Sequence, residues 1–445
     1  MNRLAGETCS SGNPWLGSIP SDWEVTPLKF VAEVFPSNVD KHSREGETPV
    51  SLCNYTDVYY NDTISDSLEF MKATATREQI ERFSLRAGDT IITKDSESAD
   101  DIGLSTYVPE ALDGVVCGYH LSMIRPNSRL SGRFVKRLFD SHYVKAVLET
   151  NANGLTRVGL GQYALDNIDI PLPPVQTQVA IADFIDRETA KIDALIAKQE
   201  QLIAALLEDR AATITQAVTN GLDPDVEMKD SGSIGLGFIP SDWTISRLKM
   251  LLVEPLTYGA NAAADDATVG HPRYVRITDI GQNGSLRKDT FRSLPPEVAA
   301  PYLLEEGDLL FARSGATVGK TFMYEDSWGI CCYAGYLIRA RFNQTKVIPS
   351  YMNYFAATAP YWYHIASAQI QATIQNVSAE RYGELVVPVP PLEVQHAIVE
   401  NLNISCAKID ALTSKSAKAI EILREYRSAL ITDAVTGKID VREAA

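Results

Sequence analysis

Two apolar periodicities alternate twice along the chain. Over residues 15–170 and again over 235–387, short runs rich in Val, Ile, Tyr and Phe stand between Gly, Pro, Asn and Asp turns. That spacing predicts strands of a mixed domain, interrupted by helical patches at 132–139 and 349–355. Beyond Pro173 and Pro174 the period changes. Val179, Ala182 and Ile185 are followed by Ile192, Leu195/Ile196, Gln199, Leu202/Ile203, Leu206, Thr213 and Ala217 at alternating threes and fours, the signature of a coiled-coil seam. After Pro390 and Pro391, residues Ile409, Leu412, Ser416, Ile420, Leu423, Arg427, Leu430 and Ala434 repeat it. A helix over 187–219 would be about 50 Å long at 1.5 Å per residue.

The alternation is an internal duplication. Gly17-Ser18-Ile19-Pro20-Ser21-Asp22-Trp23 returns as Gly237-Phe238-Ile239-Pro240-Ser241-Asp242-Trp243, and Gly88-Asp89 returns as Gly307-Asp308. Pro173-Pro174 and Gln178 return as Pro390-Pro391 and Gln395, and the Lys-Ile-Asp-Ala-Leu at Lys191 returns at Lys408. The order never changes. A helix of that length cannot bury its stripe on a small domain alone and needs a partner helix. Antiparallel pairing of the two long helices, one mixed domain at each end and a pseudo-two-fold axis between, is the favoured arrangement; the alternative folds each helix back on its own domain.

Composition narrows the function. The 445 residues predict two to four domains, and no apolar run is long enough to span a membrane. The polar N-terminus, with Pro14 and Pro20, lacks the apolar core of a secretory signal, so a cytoplasmic protein is expected. Six cysteines without a C-x-x-C pair argue against a metal or disulfide framework, and Cys331-Cys332 read as packing residues. The net charge of −16 means that any nucleic acid must be met through local clusters.

No catalytic constellation emerges. Gly315 and Gly319-Lys320-Thr321 imitate a phosphate loop, but three residues rather than four separate the glycines. The expected structure there is a glycine-hinged hairpin presenting Arg313 and Lys320. The acidic stretch from Asp95 to Asp101 reads as a solvated loop.

The ordered set of tags, Trp15-Leu16-Gly17 to Trp23, Gly307-Asp308, the Pro-Pro-x-x-x-Gln runs and the Ala-Val-Thr endings at Thr219 and Thr436, resembles the specificity subunit of type I restriction-modification systems over nearly the whole chain. The resemblance implies an α+β fold of two target recognition domains, 14–186 and 234–403, with spacer helices at 187–222 and 404–437. It implies a non-catalytic subunit whose heads each read one half of an asymmetric bipartite DNA site. It also implies two methyltransferase subunits docked on the helices, with restriction and translocase subunits in the full complex. S-adenosylmethionine, ATP and magnesium would then belong to the partners, with no cofactor or metal on this chain. A coiled-coil protein-binding adaptor without DNA preference is the rival.

Basic and hydroxyl side chains on turns reach grooves or phosphates. The expected DNA contacts are therefore Lys94, Ser96 and Arg157 in the first head and Arg313, Ser314, Gly315, Lys320, Gln375 and Asn376 in the second. The first head departs through Asp95, Glu97, Asp100 and Asp101, where an acid could instead accept from a cytosine amine. Gln178 and Gln395 are candidates for the methyltransferase interface. The spacer seam is expected at Ile192, Ile196, Leu202, Leu206, Ile409, Leu412, Ile420, Leu423 and Leu430.

Overall fold

The computed structural model describes residues 7–281, 285–369 and 376–441. The chain divides into two compact units, Met1–Glu200 with Ala417–Ala445, and Gln201–Ser416. Both divisions fall inside the two long helices, Val175–Asn220 of 46 residues and Leu392–Val435 of 44 residues. Each unit thus holds one mixed head, part of the helix that follows it, and part of the other copy's helix.

In the first unit the head carries a four-stranded antiparallel sheet in the order Ala32–Pro36, Leu121–Pro126, Thr90–Thr93, Ser105–Tyr107. A three-stranded sheet beside it centres on Thr48–Cys53, flanked by Met71–Ala75 and Val115–Cys117. Strand Thr90–Thr93 is buried at every position, which is why its sequence is a run rather than an alternation. The second unit repeats the plan. Thr257–Tyr258, Leu337–Ala340, Leu309–Ala312 and Thr321–Met323 form its four-stranded sheet, and Arg273–Val275 pairs parallel with Cys331–Tyr333.

The repeated motifs are structural joints. In each Gly-Asp the glycine takes a left-handed φ, +92° at Gly88 and +84° at Gly307. The aspartate beside it is buried and accepts two bonds from an arginine on the neighbouring strand. Arg125 reaches Asp89 at 2.8 and 2.7 Å, and Arg341 reaches Asp308 at 2.9 and 2.7 Å. The Ile-Pro-x-x-Trp motif receives a helix end. Trp23 lies against Gly437 in the first unit and Trp243 against Gly221 in the second, both glycines left-handed past the helix terminus. A Cβ on Gly437 would sit 2.5 Å from Pro20 Cδ and 3.0 Å from Trp23, so only glycine fits.

The helices pair antiparallel within each unit. In the first, Arg427 meets Asp193 at 2.9 Å while Arg424 meets Glu200 at 3.4 Å, so one sequence descends as the other rises. Ile185, Ile192, Leu430, Ile431 and Ala434 share one core with the head's Trp23 and Phe134. In the second, Arg210 meets Asp410 at 3.1 Å, and Ile214, Val218, Leu402 and Cys406 share a core with Tyr351. Ile192, Ile409, Ile420 and Leu430 are buried and Ile196, Leu206 and Leu423 half-buried, as a seam requires.

Two expected seam residues are not in it. Leu202 is 46% and Leu412 50% exposed. The 4-3-4-3 spacing that runs Ile192, Ile196, Gln199, then Ile203 and Leu206 passes one residue beyond Leu202, and the run Ile409, Thr413, Ser416, Ile420 passes one beyond Leu412. One residue is about 100° around an α-helix, enough to turn a side chain out of the stripe. Periodicity selects the seam position at each step, taking Ile203 over the equally apolar Leu202 and even Thr413 over the more apolar Leu412.

Candidate nucleic-acid interface

The central strand of each four-stranded sheet ends at a short ladder that carries the candidate side chains. In the first head Lys94 follows the strand, and Asp95–Ser96 pairs antiparallel with Val158–Gly159. In the second, Arg313 follows the strand and Ser314 bridges antiparallel to Asn376. The backbone agrees: Lys94 N donates to His120 O at 3.1 Å, and Arg313 N to Tyr336 O at 3.0 Å. The two ladders are the same place in two copies of one fold.

Their side chains differ. Lys94 turns inward, donating to Ser37 O at 3.0 Å; burial pushes its pKa down while Asp95 pulls it back up. The Asp95 carboxylate lies between two side chains, Oδ2 at 2.8 Å from His120 Nδ1 and Oδ1 at 3.0 Å from the half-exposed Arg157 guanidinium. Ser96 is buried. Nearby, Tyr59 donates to Asp101 Oδ2 at 3.1 Å, and Tyr55, Tyr59 and Tyr60 form a chain of ring contacts ending on the exposed Tyr60.

In the second head Arg313 lies over the Tyr258 ring, 4.8 Å from its centroid, with Nε 3.4 Å from Asn376 Oδ1 and Nη1 3.5 Å from Gly335 O. Tyr258 is anchored at its far end, where its hydroxyl accepts from Ala379 N at 2.9 Å. Gly315 and Lys320 are exposed and Ser314 half-buried. Lys320 and Trp362 help line a cleft of about 370 Å³. The glycine loop leads into strand Thr321–Met323, paired antiparallel with Leu309–Ala312. That is a strand-turn-strand hairpin, where a phosphate loop would open a helix. Gln375 lies outside the described residues.

The structure therefore brings Lys94, Ser96 and Arg157 to one ladder and Arg313, Ser314, Gly315, Lys320 and Asn376 to its counterpart. Tyr258, His120 and Tyr336 are additional members that the sequence did not single out, because strand pairing alone carries them there from distant segments. Among the described residues no group of three or more His, Cys, Asp or Glu is placed to hold a metal ion, and no helix is long and apolar enough to cross a membrane.

Gln178 and Gln395 do not lie at a surface. Both are fully buried, and both make the same three bonds. Gln178 donates to Pro173 O and Arg129 O at 2.8 and 2.9 Å and accepts from Ser131 N at 2.8 Å. Gln395 donates to Pro390 O and Lys346 O at 2.8 and 3.0 Å and accepts from Ile348 N at 2.8 Å. Each amide latches the first turn of a long helix to its head. The expected partner contact is thereby corrected to an internal joint, since a buried amide with its bonding capacity so engaged has nothing to offer a partner.

Two copies of one mixed head, each with a ladder at the end of a central strand and each packed on an antiparallel helix pair within its unit, define the class of this protein as an internal duplication. A chain from a solved structure of the assembly and conformational transition of the type I restriction-modification system shares this fold at a TM-score of 0.67, with 18% identity over 95% of this chain and 99% of that one. The HsdS subunit from Thermoanaerobacter tengcongensis gives a TM-score of 0.54 at 17% identity, covering 95% and 98%. The family model for the type I restriction modification DNA specificity domain matches twice, over residues 20–205 and 240–421. Relatives include the EcoKI specificity subunit of Escherichia coli K12, 21% identical over 95% of this chain and 90% of that protein, and the putative MjaX specificity subunit of Methanocaldococcus jannaschii, 22% identical over 96% of each. With the EcoBI specificity subunit of Escherichia coli the match is 22% over 67% of this chain and 64% of that protein. The chain belongs to the type I restriction-modification DNA specificity family. It is a non-catalytic specificity subunit, of the kind that binds DNA and joins the other subunits of its system.

Proposed function

We propose that each head reads one half of an asymmetric bipartite DNA site through its ladder, with 14–186 and 234–403 as the recognition domains and 187–222 and 404–437 as the spacer. The observation that carries this reading is the contrast at equivalent positions. A carboxylate between His120 and Arg157 stands in one head where Arg313, Ser314 and Asn376 stand in the other. Similar scaffolds with different edge chemistry suit two different half-sites. Lys94 and Ser96 support their ladder from inside, while Arg157, Gly315 and Lys320 face the DNA; Gln375 is a further DNA contact of the second head.

Two methyltransferase subunits dock on the outward faces of the helices, where Leu195, Ile422 and Tyr426 in the first unit and Leu202, Leu207, Ile404 and Leu412 in the second leave apolar surface exposed. S-adenosylmethionine, ATP and magnesium act on the partners, restriction and translocase subunits complete the complex, and the assembly works in the cytoplasm. Co-expression with the cognate methyltransferase subunit, followed by single-molecule sequencing for modified adenines, tests the reading. A split asymmetric motif that disappears without this chain is expected. Unchanged methylation, with the partner active, would favour a protein adaptor.

A further inference from the structure

Resting on the reading of the second head as a DNA-reading domain, the geometry points to Arg313 as a base-reading residue that recognises a guanine, with Lys320 as a phosphate contact on the same hairpin. Three features set Arg313 apart from an ordinary surface cation. Its guanidinium is stacked 4.8 Å from the centroid of Tyr258. That ring is itself immobilised, by strand pairing of Tyr258 with Ile338 at one end and by the bond from Ala379 N at the other. Asn376 Oδ1 and Gly335 O take two of the five N–H donors, at the long distances of 3.4 and 3.5 Å.

The plane of the fork is thus set before DNA arrives, and its remaining donors are not taken by any bond among the described residues. A planar fork of fixed orientation matches O6 and N7 on the major-groove edge of guanine, and no other base offers two acceptors there. A phosphate accepts the same fork, and single replacement of guanines separates the two. Lys320 is exposed on the adjoining turn as a flexible point charge, the chemistry that suits a phosphate. In the first head the equivalent Lys94 is half-buried against Ser37 O and cannot act in this way.

The test uses the complex with the cognate methyltransferase. After the wild-type motif is mapped from methylated host DNA, binding is measured on duplexes in which each guanine of the second head's half-site is replaced singly by 7-deazaguanine, which lacks N7. One replacement is expected to weaken wild-type binding about tenfold or more, the others far less. Arg313→Ala should become indifferent to that replacement and accept other bases at that position, with the other half-site unchanged. Arg313→Lys should bind more weakly than wild type and keep a reduced sensitivity to that replacement, because an ammonium reaches O6 and N7 without the fixed geometry of the fork. Lys320→Ala should weaken cognate and non-cognate duplexes alike and lower the salt slope by about 0.9.

Equal sensitivity of all guanines, or Arg313→Ala losing affinity uniformly with the motif intact, would make Arg313 a phosphate contact and overturn the inference. The wild-type duplex series needs no variant to fold. If the wild-type complex methylates no motif, the reading of the heads falls first, which is a different result.

Discussion

In the first unit, helix Gly132–Asp140 is tied to the first long helix by charge. Arg137 is 7% exposed and reaches Asp186 at 2.6 Å, Asp62 at 2.8 Å and Asp140 at 3.1 Å, while Lys136 pairs with Asp62 and Asp140 and Arg133 with Asp183 and Asp186. In the second unit the residues at the same places, 217 positions on, are Tyr354 and Asn403, joined by one neutral hydrogen bond of 2.7 Å. The glutamine latch and the helix ion pair are retained in both copies, but this joint has changed its physics. A buried ionic network demands that every member keep its partner, whereas a neutral bond at a half-exposed site tolerates loss.

That contrast is open to direct attack. Arg137→Ala removes the cation shared by Asp62, Asp140 and Asp186, which keep Lys136 and Arg133, and should cost about 2–3 kcal/mol. Tyr354→Phe should cost only about 1 kcal/mol. Hydrogen exchange resolved over 132–151 and 349–369 would separate the two, and equal losses would erase the distinction.

Gln178→Ala and Gln395→Ala each remove three hydrogen bonds, of which the one to Pro173 O or Pro390 O is wholly buried, so each should cost about 2–3 kcal/mol in its own unit. The equality of the pair is the check on the shared latch. A large difference between them would show that the copies differ here too.

Acid should act next. Burial raises the pKa of Asp62, but Lys136 and Arg137 outweigh that and hold it below the ordinary carboxylate range. A depressed folded pKa contributes stability that is complete above the unfolded value of about 4 and is lost as pH falls through the folded one. Protection over 132–151 should therefore fall off below about pH 4, while the Tyr354–Asn403 joint contributes no such dependence.

The smallest effect is expected from the helix pairs. Asp193–Arg427 and Arg210–Asp410 are partly exposed, so double-mutant cycles should give about 0.2–1 kcal/mol each. Exchanging the charges within either pair should restore most of it. Failure of the exchange would mean that the arginines' packing in the seam, and not the charge, matters.

Much of the fold was legible because duplication prints structural motifs twice. Gly-Asp, Ile-Pro-x-x-Trp and Pro-Pro-x-x-x-Gln recur because each needs one backbone conformation, one buried bond set or one close approach, and few residue types satisfy it. The side chains of the two ladders behave oppositely. Asp95 and Ser314, His120 and Tyr336, and Gly159 and Asn376 occupy matching places with unlike chemistry, so repetition could not reveal them. Gln178 and Gln395 misled from the other side: a repeated polar residue is as easily a buried latch as a contact.

The sequence by itself determined the duplication, the heptad seam and its antiparallel partner, since local periodicity and apolar burial depend only on which residues follow one another. Whether the stripe ran through Leu202 or Ile203 was left to the accumulated twist of a real helix. The stacking of Arg313 on Tyr258, the placing of Asp95 between His120 and Arg157, and the burial of both glutamines were decided by tertiary structure alone. They join segments 25 to 62 residues apart or set a helix against its head, and no local rule encodes such meetings.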